Sequence, residues 1–274
     1  MSIITLTTDY GHKDYFVGAL KGKIYSEFTE AKIVDISHGI FPFNLSETSY
    51  LVGAACKNFP DGTVHIIGVD IEKNERNNHV AILWNNQYFI AADNGILSLM
   101  THKLIPQKIF EINIYNQLKT NSTDIDAFVK VACHLANNGK LEEIGFQIDS
   151  LKQITDFQAL ISEDNKIIKG MIIYIDNYGN AVCNITREMF YFYEKERSFQ
   201  INFKNTNLKT IFARYSVLLI GKKEKPSTYD GQKLAVFNDA GFLEIGLYRS
   251  SPTAGSAKTM FGFVIGDFVT INFL

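Results

Sequence analysis

Two acidic loops, each entered from an apolar run, carry the residues best suited to chemistry. Thr8-Asp9-Tyr10-Gly11-His12-Lys13-Asp14 follows Ile3-Ile4-Thr5-Leu6-Thr7, and Asp176-Asn177-Tyr178-Gly179-Asn180 follows Met171-Ile172-Ile173-Tyr174-Ile175. Ile/Thr-rich runs that stop at Asp plus Gly read as strands emptying into turns. In open α/β sheets ligands gather at the carboxyl ends of strands, where a loop Asp reaches a bound small molecule. Carboxylate, flat ring and, in the second loop, an amide suit a ribose and a base better than they suit a metal. The blander reading makes Asp9 and Asp176 turn formers bonded to their own backbone, and the aromatics ordinary core or surface residues.

The elements that must position these loops change character along the chain. Strands over 3–7 and 32–36 flank a helical pattern over 15–28, and a helix over 46–58 leads to a strand over 63–69. Runs over 79–83 and 87–91, divided by Asn85-Asn86, read as a hairpin, and a helix over 126–137 closes at Asn138-Gly139. Strand–helix alternation predicts an α/β N-terminal domain over residues 1–150, with a partly parallel sheet flanked by helices. A polar link over 151–165 precedes strand-like runs over 166–175, 181–185, 199–203, 234–238, 243–248 and 267–273, with one helix near 187–195. Residues 166–274 are therefore expected to form a smaller, mainly β, barrel-like C-terminal domain.

Composition excludes several classes. A net charge of −2 gives no general attraction to nucleic acid, and Lys222-Lys223-Glu224-Lys225 reads as a solvated turn. No apolar stretch approaches the ~20 residues that span a bilayer, and the first residues do not read as a secretory leader. Cys56, Cys133 and Cys183 are odd in number, far apart and set in apolar runs, so they read as reduced core residues of a cytoplasmic protein. The six histidines form no pair at metal-ligand spacing, so neither a metal nor a cofactor is expected. Gly18-Ala19-Leu20-Lys21-Gly22-Lys23 is one residue short of a phosphate loop and lies in a helical pattern, and no dinucleotide fingerprint or nucleophile elbow occurs.

Six collinear segments carry a resemblance. They are residues 4–22 (ITLTTDYGHKDYFVGALKG), 32–38 (KIVDISH), 62–70 (GTVHIIGVD), 92–95 (ADNG), 175–180 (IDNYGN) and 241–246 (GFLEIG). In order and extent the chain resembles the S-adenosylmethionine hydroxide adenosyltransferases, relatives of the fluorinases and chlorinases. The resemblance implies a homotrimer, with each active site between the N-terminal domain of one subunit and the C-terminal domain of its neighbour. It also implies cofactor-free displacement at ribose C5′ of S-adenosylmethionine, with water or hydroxide as nucleophile and adenosine and methionine as products.

The same resemblance implies roles. Asp9 would hold the ribose hydroxyls, Asp14 face the methionine side, and Phe43 of Phe41-Pro42-Phe43-Asn44 lie against the nucleoside. Asp176 would take the methionine ammonium, Tyr178 stack on adenine, Asn180 bond its edge, and backbone groups of Leu247 and Arg249 complete that pocket. Hydroxide-using members share an Asp–Arg–His trio that orients and activates water. Asp70 and Arg76 match its first two members, whereas Thr123 occupies the histidine position. A Thr hydroxyl orients water but is a poor base, because efficient bases titrate near working pH. Asp124 or His79 could assist, while the bland reading pairs Arg76 with Glu72 or Glu75 and makes His79 structural. Halide-using relatives carry an aromatic where this chain has Asp70, and a carboxylate there repels an incoming anion. The alternative function is a module of the same fold that binds S-adenosylmethionine or adenosine without turnover.

Overall fold

The computed structural model describes residues 3–102, 104–154, 158–253 and 255–274. The chain divides into two compact units, Met1–Thr155 and Asp156–Leu274. Within the link expected over 151–165, residues 155–157 lie outside the described residues.

The first unit runs β1 (Ile3–Thr8), α1 (Phe16–Glu27), β2 (Lys32–Ser37), α2 (Leu45–Cys56), β3 (Val64–Gly68), β4 (His79–Trp84), β5 (Gln87–Ala92), α3 (Ile96–Met100), β6 (Lys108–Ile112), α4 (Asp124–Ala136) and β7 (Gly145–Gln147). Its seven strands lie in the order β2-β1-β3-β5-β4-β6-β7. Strands β2, β1, β3 and β5 are parallel, and β4, β6 and β7 extend the sheet antiparallel. Alternation sorts side chains between two faces. Ile4, Leu6, Val64 and Ile66 pack with Leu20 and Ile24 of α1 and Phe128 and Val131 of α4. Ile67, Val80, Ile82 and Phe89 pack with Val52 of α2 and Leu97 and Met100 of α3. The expected α/β architecture is therefore present as three layers.

Local chemistry fixes the ends of these elements. Asn85 and Asn86 both adopt positive φ (49° and 59°), the requirement of a two-residue hairpin whose twist matches its strands. Helix α4 begins at Asp124 rather than at the expected 126, because Thr123 caps it. Short α3, β6 and β7 had no distinct sequence pattern.

The second unit runs β8 (Leu160–Ile161), β9 (Ile167–Ile175), β10 (Ala181–Thr186), α5 (Arg187–Glu194), β11 (Phe199–Phe203), β12 (Thr206–Leu208), β13 (Ile211–Phe212), β14 (Lys233–Phe237), β15 (Phe242–Leu247), α6 (Ala257–Phe261) and β16 (Phe268–Phe273). The sheet follows β12-β11-β16-β9-β10-β15-β14-β13 and curls into a nearly closed, barrel-like form. The nine-residue β9 makes the curl possible: 167–171 pair with β16, and 172–175 pair with β10. Ile168, Ile172, Cys183, Ile201, Phe237, Ile245 and Ile271 fill its interior. Cys56, Cys133 and Cys183 are all free and buried. Among the described residues, no helix is long and apolar enough to cross a membrane.

At the centre of the first sheet, His65 joins Thr5 (Nδ1 to Oγ1, 2.7 Å) and Gln87 (Nε2 to Oε1, 3.1 Å) while stacking on Phe89. Gln87 Oε1 only accepts, so Nε2 carries the proton and Nδ1 accepts from Thr5. Burial depresses the His65 pKa from 6.5 to about 4. The unfolded chain therefore takes up this proton first as pH falls, and His65 gives its full stabilisation above pH 6.5 and loses it toward pH 4. A 2.5-unit difference corresponds to about 3 kcal/mol. Urea midpoints between pH 7 and pH 4 should fall steeply for the wild type. His65→Leu should start lower, by about 1–3 kcal/mol for the unpaired Thr5 and Gln87, and should show a shallower acid slope.

Candidate functional site

The first unit gathers its candidate residues where strand order reverses. The chain steps from β1 outward to β2, then crosses back through α2 to β3 on the other side of β1. Helices α1 and α2 consequently cover opposite faces, which opens a crevice at the carboxyl ends of β1 and β3. Thr8 pairs with Gly68 across these strands, so Asp9, one residue on, and Asp70, two residues on, follow adjacent strand ends.

Asp9 ties two loops together: its Oδ2 accepts the Phe43 N–H at 3.0 Å. The Gly11 N–H donates to the His38 carbonyl at 2.7 Å, and Thr8 Oγ1 lies 2.7 Å from His38 Nδ1. Phe43 sits at φ 62°, a strained region for an aromatic residue, with 70% of its surface exposed. Glu47 braces the same loop by accepting from the Phe41 N–H and Asn44 Nδ2. Asp14 lies exposed beyond the turn. Burial raises the Tyr10 hydroxyl pKa, and the charges of Asp9 and Asp126 add to the shift.

Asp70 also adopts positive φ, 50°. Its carbonyl accepts from Asn94 Nδ2 at 3.1 Å and from Asn77 Nδ2 at 3.4 Å. The loop beyond it is joined to α4 where Lys73 N–H donates to Asp124 Oδ2 at 3.0 Å. A Cβ on Gly68 would lie 3.1 Å from Thr8 Cγ2 and 3.7 Å from Ile125 Cδ1, so β1, β3 and the start of α4 converge here.

Arg76 is exposed; its N–H donates to Asn74 Oδ1 and its carbonyl accepts from Lys152 Nζ. Among the described residues, its guanidinium pairs with neither Glu72 nor Glu75. Thr123 is committed to the helix cap: its N–H and Oγ1 both donate to Asp126 Oδ2, at 2.8 and 2.9 Å. Lys23 Nζ lies 2.5 Å from the other oxygen of Asp126. Burial opposes the charge on Asp126, yet Lys23 and Thr123 hold its carboxyl below the usual range. Thr123 Oγ1 keeps lone pairs for a water but has no basic character.

In the second unit, Asp176 organises its own turn. Its Oδ1 accepts the N–H groups of Tyr178 (2.9 Å) and Asn180 (2.8 Å), and its Oδ2 accepts from Asn180 Nδ2 (2.9 Å). Asn180 is 5% exposed, and Ser250 Oγ donates to its Oδ1 at 3.2 Å. The turn-forming reading of Asp176 therefore describes what its carboxylate does in this structure. Tyr178 leaves the turn with its ring 63% exposed. Gly179 takes φ 77°, and a Cβ there would fall 2.3 Å from Ser256 Oγ.

Ser250 Oγ also lies 3.4 Å from the Tyr178 carbonyl, so the turn after β15 sits against this loop. Leu247, buried at the end of β15, accepts the Ser250 N–H, and Arg249 beside it adopts φ 53°. Arg249 Nη1 lies 3.6 Å from Asp230 in an exposed pair of little energetic weight. Behind them Tyr215 donates to Glu244 at 2.6 Å, and a Cβ on Gly246 would lie 2.3 Å from the Tyr215 hydroxyl and 2.6 Å from Asn180 Oδ1. Burial raises the Glu244 pKa despite its Tyr215 and Asn238 donors, and the Asp176 charge adds to the shift.

Of the candidate residues, Asp9, Asp14, Phe43, Asp70, Arg76 and Thr123 lie in the first unit, and Asp176, Tyr178, Asn180, Leu247 and Arg249 in the second. Sequence reasoning missed the amides of Asn77 and Asn94, the Tyr115 hydroxyl, Ser250, and the Tyr215–Glu244 pair. Asn94, within the quoted Ala-Asp-Asn-Gly run, and Glu244, within the Gly-Phe-Leu-Glu-Ile-Gly run, carried a signal. Among the described residues, no group of three or more His, Cys, Asp or Glu could hold a metal ion.

Residues 4–145 match the SAM hydroxide adenosyltransferase N-terminal domain, and residues 170–270 match the SAM hydroxide adenosyltransferase C-terminal domain. An (R)-S-adenosyl-L-methionine hydrolase of Methanocaldococcus jannaschii is 29% identical over 92% of this chain and 90% of its own length. A protein of the same description from Thermus thermophilus is 22% identical over 68% of this chain and 76% of its own length. The crystal structure of an uncharacterized conserved protein from Thermotoga maritima superposes with a TM-score of 0.81 at 26% identity, covering 98% of this chain and 99% of that one. With both domain models matched in order over most of its length, the chain belongs to the SAM hydroxide adenosyltransferase family.

Proposed function

We propose that this enzyme cleaves S-adenosylmethionine with water, attacking ribose C5′ to release adenosine and L-methionine. The observation that supports it most is the pair of carboxylates on adjacent parallel strands: Asp9 follows β1 and Asp70 follows β3, with Thr8 and Gly68 in register between them. Asp9 Oδ2 is held by Phe43, and Oδ1, without a protein partner among the described residues, faces the ribose hydroxyls. Asp70, with Arg76, polarises the attacking water, and Thr123 Oγ1 orients it. The thioether leaves neutral, so the reaction needs no general acid. Alignment of water, C5′ and sulfur with bulk water excluded supplies about 7–11 kcal/mol.

In the second half-site Asp176 receives the methionine ammonium and Tyr178 stacks on adenine, with Asn180 and the Leu247 and Arg249 backbone at its edge. Asp14 lies toward the methionine side. The two exposed rings, Phe43 and Tyr178, fit a homotrimer in which different subunits supply the two half-sites. No cofactor, membrane or nucleic acid enters this scheme, and its setting is the cytoplasm. The relatives' name specifies the (R) sulfonium epimer, and we propose the same preference here.

A second reading, binding without turnover, is favoured by one observation: the Thr123 hydroxyl proton is committed to Asp126, so the trio has no base at that position. Incubation with each sulfonium epimer in ¹⁸O-water, with and without chloride, decides between them. Equal amounts of adenosine and methionine, unaffected by chloride and with ¹⁸O in the adenosine 5′-hydroxyl, are expected. Calorimetric binding without product would establish the binding module instead.

Two variants separate the half-reactions. Asp70→Asn should lower kcat by about 10²–10⁴-fold while leaving adenosine affinity unchanged. Asp9→Asn should weaken adenosine binding by about 10–100-fold, the effect of losing a hydrogen bond to a charged group.

A further inference from the structure

Beside a backbone bridge between Asn74 and Asn77, the loop after β3 is held by side chains that bind its backbone. Asn94 Nδ2 lies 3.4 Å from the Val69 carbonyl and 3.1 Å from that of Asp70. Asn77 Nδ2 reaches the carbonyls of Asp70 and Glu72. The carbonyl between them, that of Ile71, accepts from His79 Nε2 at 2.6 Å. Lys73 N–H, next along, donates to Asp124. Asp70, a non-glycine residue at φ 50°, persists there only where its surroundings over-determine it. Here those surroundings are named side chains, and His79 is the one with no freedom to do anything else.

His79 is fully buried at the start of β4, edge-on to Phe128 with ring centroids 4.6 Å apart. A carbonyl only accepts, so Nε2 is the protonated nitrogen; Nδ1 must then accept, and the Tyr115 hydroxyl supplies the proton at 2.8 Å. One tautomer is therefore fixed from both sides. Asp124 Oδ1 lies 4.0 Å from Nε2, and Lys73 Nζ sits 4.4 Å from the Tyr115 ring centroid, so the same few groups close around the loop from α4 and from the segment before it.

We infer that His79, fixed by Tyr115, is a positioning residue for Asp70: it holds the Ile71 carbonyl and so sets the direction in which the Asp70 carboxylate faces. The inference rests on the hydrolase reading and assigns His79 no proton transfer of its own. It accounts for how an oriented Asp70 is kept in a chain whose trio position 123 holds a helix cap.

The test uses the full chain with His79→Leu, His79→Gln and Tyr115→Phe. Turnover is normalised to the fraction that binds adenosine, so that simple loss of folded protein does not count. Misplacing a reacting group by about 1 Å costs about 10²-fold, so His79→Leu should lower kcat by that order while adenosine affinity stays within about twofold. Gln keeps a donor near the Nε2 position and should restore kcat to within about threefold of the wild type. Tyr115→Phe, which frees the imidazole to change tautomer, should lower kcat with KM unchanged. If His79→Leu fails to fold, Tyr115→Phe and His79→Gln decide. Wild-type kcat in His79→Leu or Tyr115→Phe overturns the inference, as does a Gln variant no better than Leu. Absence of turnover in the wild type would instead remove the hydrolase reading, and the inference with it.

Discussion

The reversal of strand order around β1 is the constraint on which the proposed first half-site depends. Parallel strands flanked by their two crossovers leave an opening where successive helices depart to opposite faces. That opening is bounded by the carboxyl ends of β1 and β3, and the Thr8–Gly68 pairing fixes their relative height. Everything the site requires of the first unit is a loop added at this edge. Asp9 arrives on one loop, Phe43 on the crossover from β2 to α2, Asp70 on the next strand, and Thr123 at the start of α4. The apolar faces of the sheet make the scaffold rigid, and the loops at its edge carry the polar groups.

The second unit solves a different problem. A nearly closed, mainly antiparallel sheet has no switch point, so its candidate residues lie on one hairpin, β9 to β10, and the turn after β15. Asp176 serves as the acceptor that shapes the hairpin, with three N–H donors on its two oxygens. Its oxygens keep some lone-pair capacity beyond these three donors.

Much of this was legible in residue order because it is local. Ile/Val/Thr-rich runs gave the strands near their observed limits, and Asn85-Asn86 gave the hairpin because few residues accept positive φ twice in succession. Asp9 and Asp70 were legible as candidates because an acid at the end of an apolar run lies at a strand end. The remainder lacked any period to read. β7, β12 and β13 are three residues or fewer, too short for an alternation to declare itself. The start of α4 depended on a cap that Thr123 makes with Asp126, chemistry hidden in what looked like a polar loop. Asn94 reaching Asp70 and Tyr115 reaching His79 are contacts across 24 and 36 positions of sequence, created only when β3 pairs with β5 and β4 with β6. Side chains that bind backbone carbonyls leave no pattern in the chain.

Phe43 shows what such a scaffold does to recognition. Its backbone is already left-handed, and its N–H is held by Asp9 with the adjoining turn braced by Glu47. The ring is exposed, yet the loop that presents it was ordered during folding. An occupant of that surface therefore meets a preorganised wall and forgoes the entropic penalty of immobilising a loop on arrival. Association there is set by diffusion and orientation rather than by closure of this segment, and differences in residence time report the contacts themselves.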